Sequence, residues 1–239
     1  MSKNKNIVVG TKKKKIRRLS YILIMILITI FIFKVHNWIV CDTCDYKDAI
    51  SNMENNILLV NKEYSLKENY LPNNLVIPKV EIAEEACEEE RYVENLIEKP
   101  LQELFNAASE ENYKLYLLSG YRSYTTQKNM YEYRVDNMGE KYTELYTAKP
   151  GQSEHQTGLA VDITNAERSF SNSDEAKWLS ENAYKYGFIV RYTDGKEDIT
   201  GYNYEPWHIR YVGKDVARYI YDNNLTLEEY VKLEEVNEI

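Results

Sequence analysis

The chain has 239 residues, room for one ordinary domain and a tail but not for two full domains. Its charge is segregated: residues 1–18 hold eight Lys or Arg and no acid, leaving 22 basic against 38 acidic side chains elsewhere, a net −16. So acidic a body excludes nucleic acid as a partner, because phosphate contacts need a basic face.

The basic block stands directly before an apolar run. Residues 19–33 are apolar apart from Ser20, Tyr21 and Thr29. Positive charge ahead of such a run keeps the N-terminus in the cytoplasm and sends the rest outside. Fifteen residues fall short of the roughly 20 that a span needs. Extension to Val40 reaches 22 by including Lys34, which can snorkel, and Trp38, which favours the interface. No small-x-small cleavage site follows, so residues 19–40 are expected to form an uncleaved transmembrane signal anchor, the alternative being a cleaved signal peptide. The acidic body is then extracellular, attached to the cell membrane through a polar tether at 41–56. Val40 before Cys41 does not suit a lipoprotein signal. Cys41 and Cys44 form a C-x-x-C outside the anchor, open to a disulfide, acylation or no role; thioredoxin-like chemistry would need a βαβ setting that is absent.

Residues 57–239 are expected to form the folded domain. Ile57-Leu58-Leu59-Val60 reads as a short strand. Residues 83–108 are rich in helix formers, with Val93, Leu96, Ile97, Leu101, Leu104 and Phe105 at helical spacing. Residues 114–119 alternate and end at Gly120, a strand; 125–138 reads as a second helix. Residues 174–186 form a third, closed by Gly187. Strands at 188–192 and 207–212 flank a turn-rich insert at 193–201, and helices at 214–223 and 225–233 complete the chain. Long helices among short strands, without regular alternation, predict an α+β fold with a mainly antiparallel sheet. The 22 tyrosines suit either an aromatic-walled groove or a wet, tyrosine-rich surface.

The chemistry concentrates in two short motifs that hold two of the three histidines. One is Ser153-Glu154-His155-Gln156-Thr157-Gly158-Leu159-Ala160-Val161-Asp162; the other is Glu205-Pro206-Trp207-His208. Two imidazoles and a carboxylate are the protein ligands of a catalytic zinc that keeps one position open for water. His155, Asp162 and His208 are therefore the candidate ligands, and Glu205 the candidate general base. On a straight strand the odd separations within each motif would point these side chains to opposite faces. Gly158 permits the bend the first motif needs, and Pro206 starts a strand without owing it a ladder hydrogen bond. The same donor set also describes a non-haem iron triad. A further acid at Glu205 and an exported setting favour hydrolysis over ferrous oxygen chemistry.

These residues resemble the VanY-type D-alanyl-D-alanine carboxypeptidases, zinc enzymes of a group that also contains VanX dipeptidases and hedgehog-like domains. The similarity runs from about Leu59 to Val212. It takes in Leu59-Val60-Asn61-Lys62, Ser119-Gly120-Tyr121-Arg122-Ser123, the Ser153–Asp162 motif, Tyr186-Gly187-Phe188 and Gly201-Tyr202, with no departure at a metal position. The resemblance implies a hedgehog/DD-peptidase-like fold and zinc held by His155, Asp162 and His208. It implies Glu205 as the base that activates water, Arg122 at the substrate, and Gln127 and Ser153 nearby. Tyr202 and Trp207 would wall the pocket or pack the core. Arg191 and Arg210 read as structural.

The implied activity is removal of the terminal D-Ala from peptidoglycan stem peptides ending in D-Ala-D-Ala, which would destroy the target of glycopeptide antibiotics. The same chemistry on tetrapeptides, an L,D-carboxypeptidase, is the rival reading. A cytoplasmic dipeptidase fits poorly with an anchor. A non-catalytic zinc-containing wall-binding module would have no use for Glu205.

Overall fold

A computed structural model of the protein describes residues 57–237. The expected basic segment, anchor and tether, with Cys41 and Cys44, lie outside the described residues. Among the described residues no helix is long and apolar enough to cross a membrane.

The strands are β1 (Leu75–Val76), β2 (Val93–Glu94), β3 (Tyr116–Ser119), β4 (Ala160–Thr164), β5 (Phe188–Tyr192) and β6 (Glu205–Tyr211). The helices longer than four residues are α1 (Asn95–Glu110), α2 (Tyr124–Met138), α3 (Asp174–Asn182), α4 (Lys214–Asp222) and α5 (Leu227–Asn237). β3, β4, β6 and β5, in that order, form an antiparallel sheet, and β1 pairs with β2 in a small antiparallel ribbon. The fold is α+β, as its sequence pattern predicts.

Alternation along the strands divides the sheet into two chemically different faces. Leu117, Val161, Ile163 and Ile209 pack with Ile97, Leu101 and Leu104 of α1 and with Leu179 of α3 in one cluster. Each such side chain contributes about 1.5–3 kcal/mol when taken out of water. Asp162, His208 and Arg210 interleave with those residues and therefore project from the opposite face. There Ile189 packs with Ala217, Ile220 and Leu227 of α4 and α5 in a second cluster. The polar side chains lie on a sheet stiffened from both sides.

Two expected elements need correction. Residues 57–60 are not a strand: Ile57 makes an isolated bridge and the rest is irregular. The carbonyl of Leu58 is taken by the Arg210 guanidinium at 2.7 Å rather than by a strand neighbour. The helix expected over 83–108 begins only at Asn95. Helix-forming side chains in 83–94 yield to tertiary backbone bonds: Ala83 N–H donates to Leu117, Glu94 N–H to Gly158, and Tyr92 carbonyl accepts from Tyr121. The third helix ends at Asn182 and continues as a 3-10 turn, Ala183–Tyr186, closed by Gly187 at φ 89°. The 193–201 insert contains one helical turn, Glu197–Thr200.

Candidate metal centre and its cavity

His155 sits in a 3-10 turn, Glu154–Thr157, that ends at Gly158 in the left-handed region at φ 68°. A Cβ at Gly158 would lie 2.9 Å from the Glu94 amide nitrogen, so glycine is required for space as well as for φ. This turn is the bend that the seven-residue spacing demands. It sets His155 beside Asp162, the third residue of β4.

The second motif solves its spacing by a bulge. Val190 pairs with Ile209, but Tyr192 pairs with Glu205, so two steps along β5 match four along β6. Pro206 lies in that slip, where a missing N–H costs no ladder bond. The bulge brings Glu205 to the cavity that His208 faces. A further slip in the β3–β4 pairing seats Ser119 opposite Asp162, and the next residue, Gly120, presents its carbonyl to His155.

Three candidate ligands converge. His155, Asp162 and His208 each offer a ligand atom, and these atoms lie within 4.8 Å of one another. Nε2 of His155 is 3.3 Å from Oδ2 of Asp162, and Nδ1 of His208 is 2.9 Å from Oδ1. Each imidazole commits its other nitrogen elsewhere: His155 Nδ1 donates to the Gly120 carbonyl at 2.7 Å, and His208 Nε2 to Oε2 of Glu154 at 3.3 Å. That commitment turns the second nitrogen of each imidazole toward Asp162, where it becomes a lone-pair donor once a metal ion replaces the proton there. Two imidazoles and a carboxylate, buried and preset, fit a divalent ion of zinc type.

The charges follow from burial and pairing. Burial opposes the Asp162 anion, but His155 and His208 hold its carboxyl well below the usual range. Burial would lower His208, yet its hydrogen bonds to Asp162 and Glu154 carry it up to about 9. His155 is lowered, by burial first. A cation at this point takes over the role of the shared proton, so metal binding displaces it. Burial raises the Glu205 carboxyl to about 8, against the pull of His208.

Behind His208 lies a buried ion network that sequence reasoning treated as scattered structural residues. Oε1 of Glu154 accepts from Arg191 Nε and Arg210 Nη1, both at 2.8 Å. Burial opposes the Glu154 anion, and the two guanidinium groups override it, keeping the carboxyl well below its ordinary range. Arg191 also forks onto Glu228 of α5 at 2.9 and 2.6 Å. Glu154, set between Ser153 and His155, is a site residue that the sequence reading passed over. Its position beside a ligand is the signal available.

The other expected residues also line this cavity, of about 150 Å³. Arg122 is buried and held by three partners: Nε to Glu90 at 2.7 Å, Nη1 to Gln127 at 2.9 Å and Nη2 to Ser119 at 2.7 Å. Gln127 is buried rather than solvent-facing, and donates to the Ala148 carbonyl at 2.7 Å. Ser153 is buried without a capping bond. Tyr202 packs at 4.8 Å from Tyr192, whose ring stacks 5.1 Å from His208. The Tyr202 hydroxyl has no hydrogen-bond partner among the described residues. Trp207 both reaches the cavity and packs against the α1 cluster. Arg134 and Tyr192, not singled out from the sequence, line it as well.

Residues 90–214 match the family model of VanY, D-alanyl-D-alanine carboxypeptidase. The chain is 48% identical over 192 residues to the putative carboxypeptidase YodJ of Bacillus subtilis (strain 168), covering 78% of this chain and 70% of that one. It is 35% identical over 184 residues to the bifunctional D-Ala-D-Ala dipeptidase and carboxypeptidase VanXYC of Enterococcus gallinarum, covering 74% and 93%. Among solved structures, the LdcB LD-carboxypeptidase superposes with a TM-score of 0.69 at 49% identity, covering 74% of this chain and 86% of that one. A mutant of the D,D-pentapeptidase VanY from a VanB-type resistance cassette, in complex with Zn(II), gives 0.64 at 34% identity, covering 73% and 98%.

Proposed function

The chain belongs to the VanY family of D-alanyl-D-alanine carboxypeptidases, and we propose that it is a zinc D,D-carboxypeptidase that removes the terminal D-Ala from peptidoglycan stem peptides. The observation that carries this reading is the convergence of the His155, Asp162 and His208 ligand atoms within 4.8 Å, in one cavity with Glu205. Zinc, when bound, supplies the Lewis acidity that polarises the scissile carbonyl and acidifies the attacking water.

This chain's own residues supply the rest. Glu205 accepts the proton of the attacking water and passes it to the leaving amine. Its buried seat suits the task, since a carboxylate withdrawn from water is a stronger base than an exposed one. Arg122, fixed by Glu90, Gln127 and Ser119, presents a preset positive group to the oxygen that becomes negative as water adds. Gln127 and Ser153 contact the substrate, with Tyr202 and Trp207 as walls; the unpartnered Tyr202 hydroxyl offers a hydrogen bond to peptide.

A second reading has its own support. The LdcB LD-carboxypeptidase shares 49% identity with the chain, against 34% for the VanY pentapeptidase. On that reading the same centre trims tetrapeptide stems. Mass spectrometry of pentapeptide and tetrapeptide muropeptides after incubation with the protein separates the two. Faster loss of D-Ala from pentapeptide supports the D,D assignment, preference for tetrapeptide the L,D one, and release from neither removes both.

The protein is further proposed to be single-pass in the cell membrane, with residues 1–18 cytoplasmic, 19–40 as anchor, 41–56 as tether and the domain from 57 outside. Eight basic residues and no acid before the apolar run support this. Protease added to intact cells should digest the domain, and mature protein beginning after Val40 in the medium would refute retention. Hydrolysis of D-Ala-D-Ala termini outside the membrane would withdraw the ligand of glycopeptide antibiotics.

A further inference from the structure

Two guanidinium groups line the cavity, those of Arg122 and Arg134, and they are in different states. Arg122 is 7% exposed and committed: a carboxylate, an amide and a hydroxyl each take one of its nitrogens. Arg134 is half-buried and makes one hydrogen bond among the described residues, from Nη1 to the Thr147 hydroxyl at 2.6 Å. Among the described residues, no carboxylate lies within ion-pair distance of it. A guanidinium carries five donors in a planar fork. Thr147 therefore orients the Arg134 fork without neutralising it, leaving Nη2 and Nε for a partner from outside.

The helix places that fork deliberately along the cavity. Gln127, Met130 and Arg134 follow at i, i+3 and i+7 on α2, one face of the helix, and all three line the cavity. Gln127 touches Arg122 at the inner end of this row; Arg134 is two turns further along. Arg134 lines the same cavity as Glu205, His155 and His208, so the fork opens into the space where the reaction takes place.

Of the three carboxylates that line the cavity, two are already engaged, and the third, Glu205, makes no ion pair with Arg134 among the described residues. Asp162 faces the two histidines, and Glu154 is balanced by Arg191 and Arg210. A carboxypeptidase substrate brings one more anion, its free terminal carboxylate, which cannot enter a partly buried site without a cationic or hydrogen-bonding partner. Arg122 already has a counter-charge in Glu90. Arg134 needs to give up nothing, and its fork matches a carboxylate in bidentate geometry.

We propose that Arg134 is the carboxylate receptor of this cavity, pairing with the free terminal carboxylate of the stem peptide and so restricting cleavage to the last peptide bond. This rests on the carboxypeptidase reading of the centre and names the part of the substrate that α2 recognises. It divides the two arginines by role: Arg134 holds the end of the chain before and during reaction, and Arg122 acts on the charge that develops.

The test compares pentapeptide and tetrapeptide stems, each as free acid and as C-terminal amide, using the full-length zinc-loaded protein. Turnover is measured in otherwise native protein, and equilibrium binding of the same peptides in a Glu205→Gln background, with Arg134, Arg134→Gln or Arg134→Lys. The free acid should be preferred over the amide. Arg134→Gln should raise KM and Kd for the free acid about tenfold or more, the scale of a charge-assisted hydrogen bond. Over the same change kcat should stay within a few-fold and amide binding should not move; Arg134→Lys should recover part of the loss. If Arg134→Gln weakens acid and amide equally, or neither, Arg134 is not the receptor. If no stem peptide is turned over, yet the binding preference for the acid is present and vanishes in Arg134→Gln, the receptor stands and the carboxypeptidase reading falls.

Discussion

Asp162 and His208 are direct cross-strand partners in β4 and β6, with Nδ1 of His208 2.9 Å from Oδ1 of Asp162. Forty-six residues apart in the chain, they are fixed to each other by sheet register, and only His155 has to be delivered by a loop. A site built this way is preorganised, because strands set two of its three candidate ligands before any ion arrives.

One zinc ion per domain should therefore bind tightly. His155→Ala and His208→Ala should each lose zinc together with activity, read by metal analysis of protein purified without added metal. Undiminished zinc in both variants would remove these residues from the ligand set.

Glu205→Gln keeps shape and loses the proton acceptor. Zinc content should stay near that of the native protein, while turnover falls at least about 10²–10⁴-fold, the worth of general-base help. Near-native turnover would take Glu205 out of the mechanism.

The same residue governs a pH effect in metal-free protein. Its carboxyl is raised by burial from 4.5 to about 8 in the folded state. Between those values the folded protein keeps a proton that the unfolded chain has released, so stability falls as pH rises. Glu205→Gln has no such proton. With metal chelated, the stability difference between variant and native protein should be flat below about pH 4.5 and move in favour of the variant up to about pH 8. A difference that does not change across that window would contradict the burial argument.

Glu154→Ala removes the anion shared by Arg191 and Arg210, both fully buried. Breaking a buried pair from one side costs about 3–5 kcal/mol, because the stranded charge stays buried. A fall of that size in the unfolding free energy measured in urea is expected, together with weaker zinc binding as His208 loses the acceptor that sets its tautomer. Unchanged stability would mean that Glu228 and solvent suffice to balance the arginines.

Arg122→Ala should leave zinc and KM nearly unchanged while kcat falls about 10²-fold or more, as for the loss of an oxyanion donor. A raised KM with kcat retained would make Arg122 a ground-state contact instead.

The candidate ligand types, the candidate base beside them and most elements from β3 onward are readable in the chain. They depend on local features: a 3.6- or two-residue period, a glycine that alone tolerates φ 68° at 158, a proline where a ladder bond is absent. Residues 83–94 form no α-helix despite their composition, because helix propensity there is overridden by bonds to Gly158 and Tyr121, partners far along the chain. Ile57–Val60 forms no strand for the same reason, its Leu58 carbonyl being claimed by Arg210.

What the fold alone decides is pairing. That Glu154 balances two arginines and orients His208, that Arg122 is held by Glu90, and that Arg134 is left without a carboxylate among the described residues are facts about distances between remote segments. Identical side chains on the surface would carry different charges and partners. Periodicity reports which face of an element a residue occupies; only packing those faces together determines which charges meet and which one remains open to a substrate.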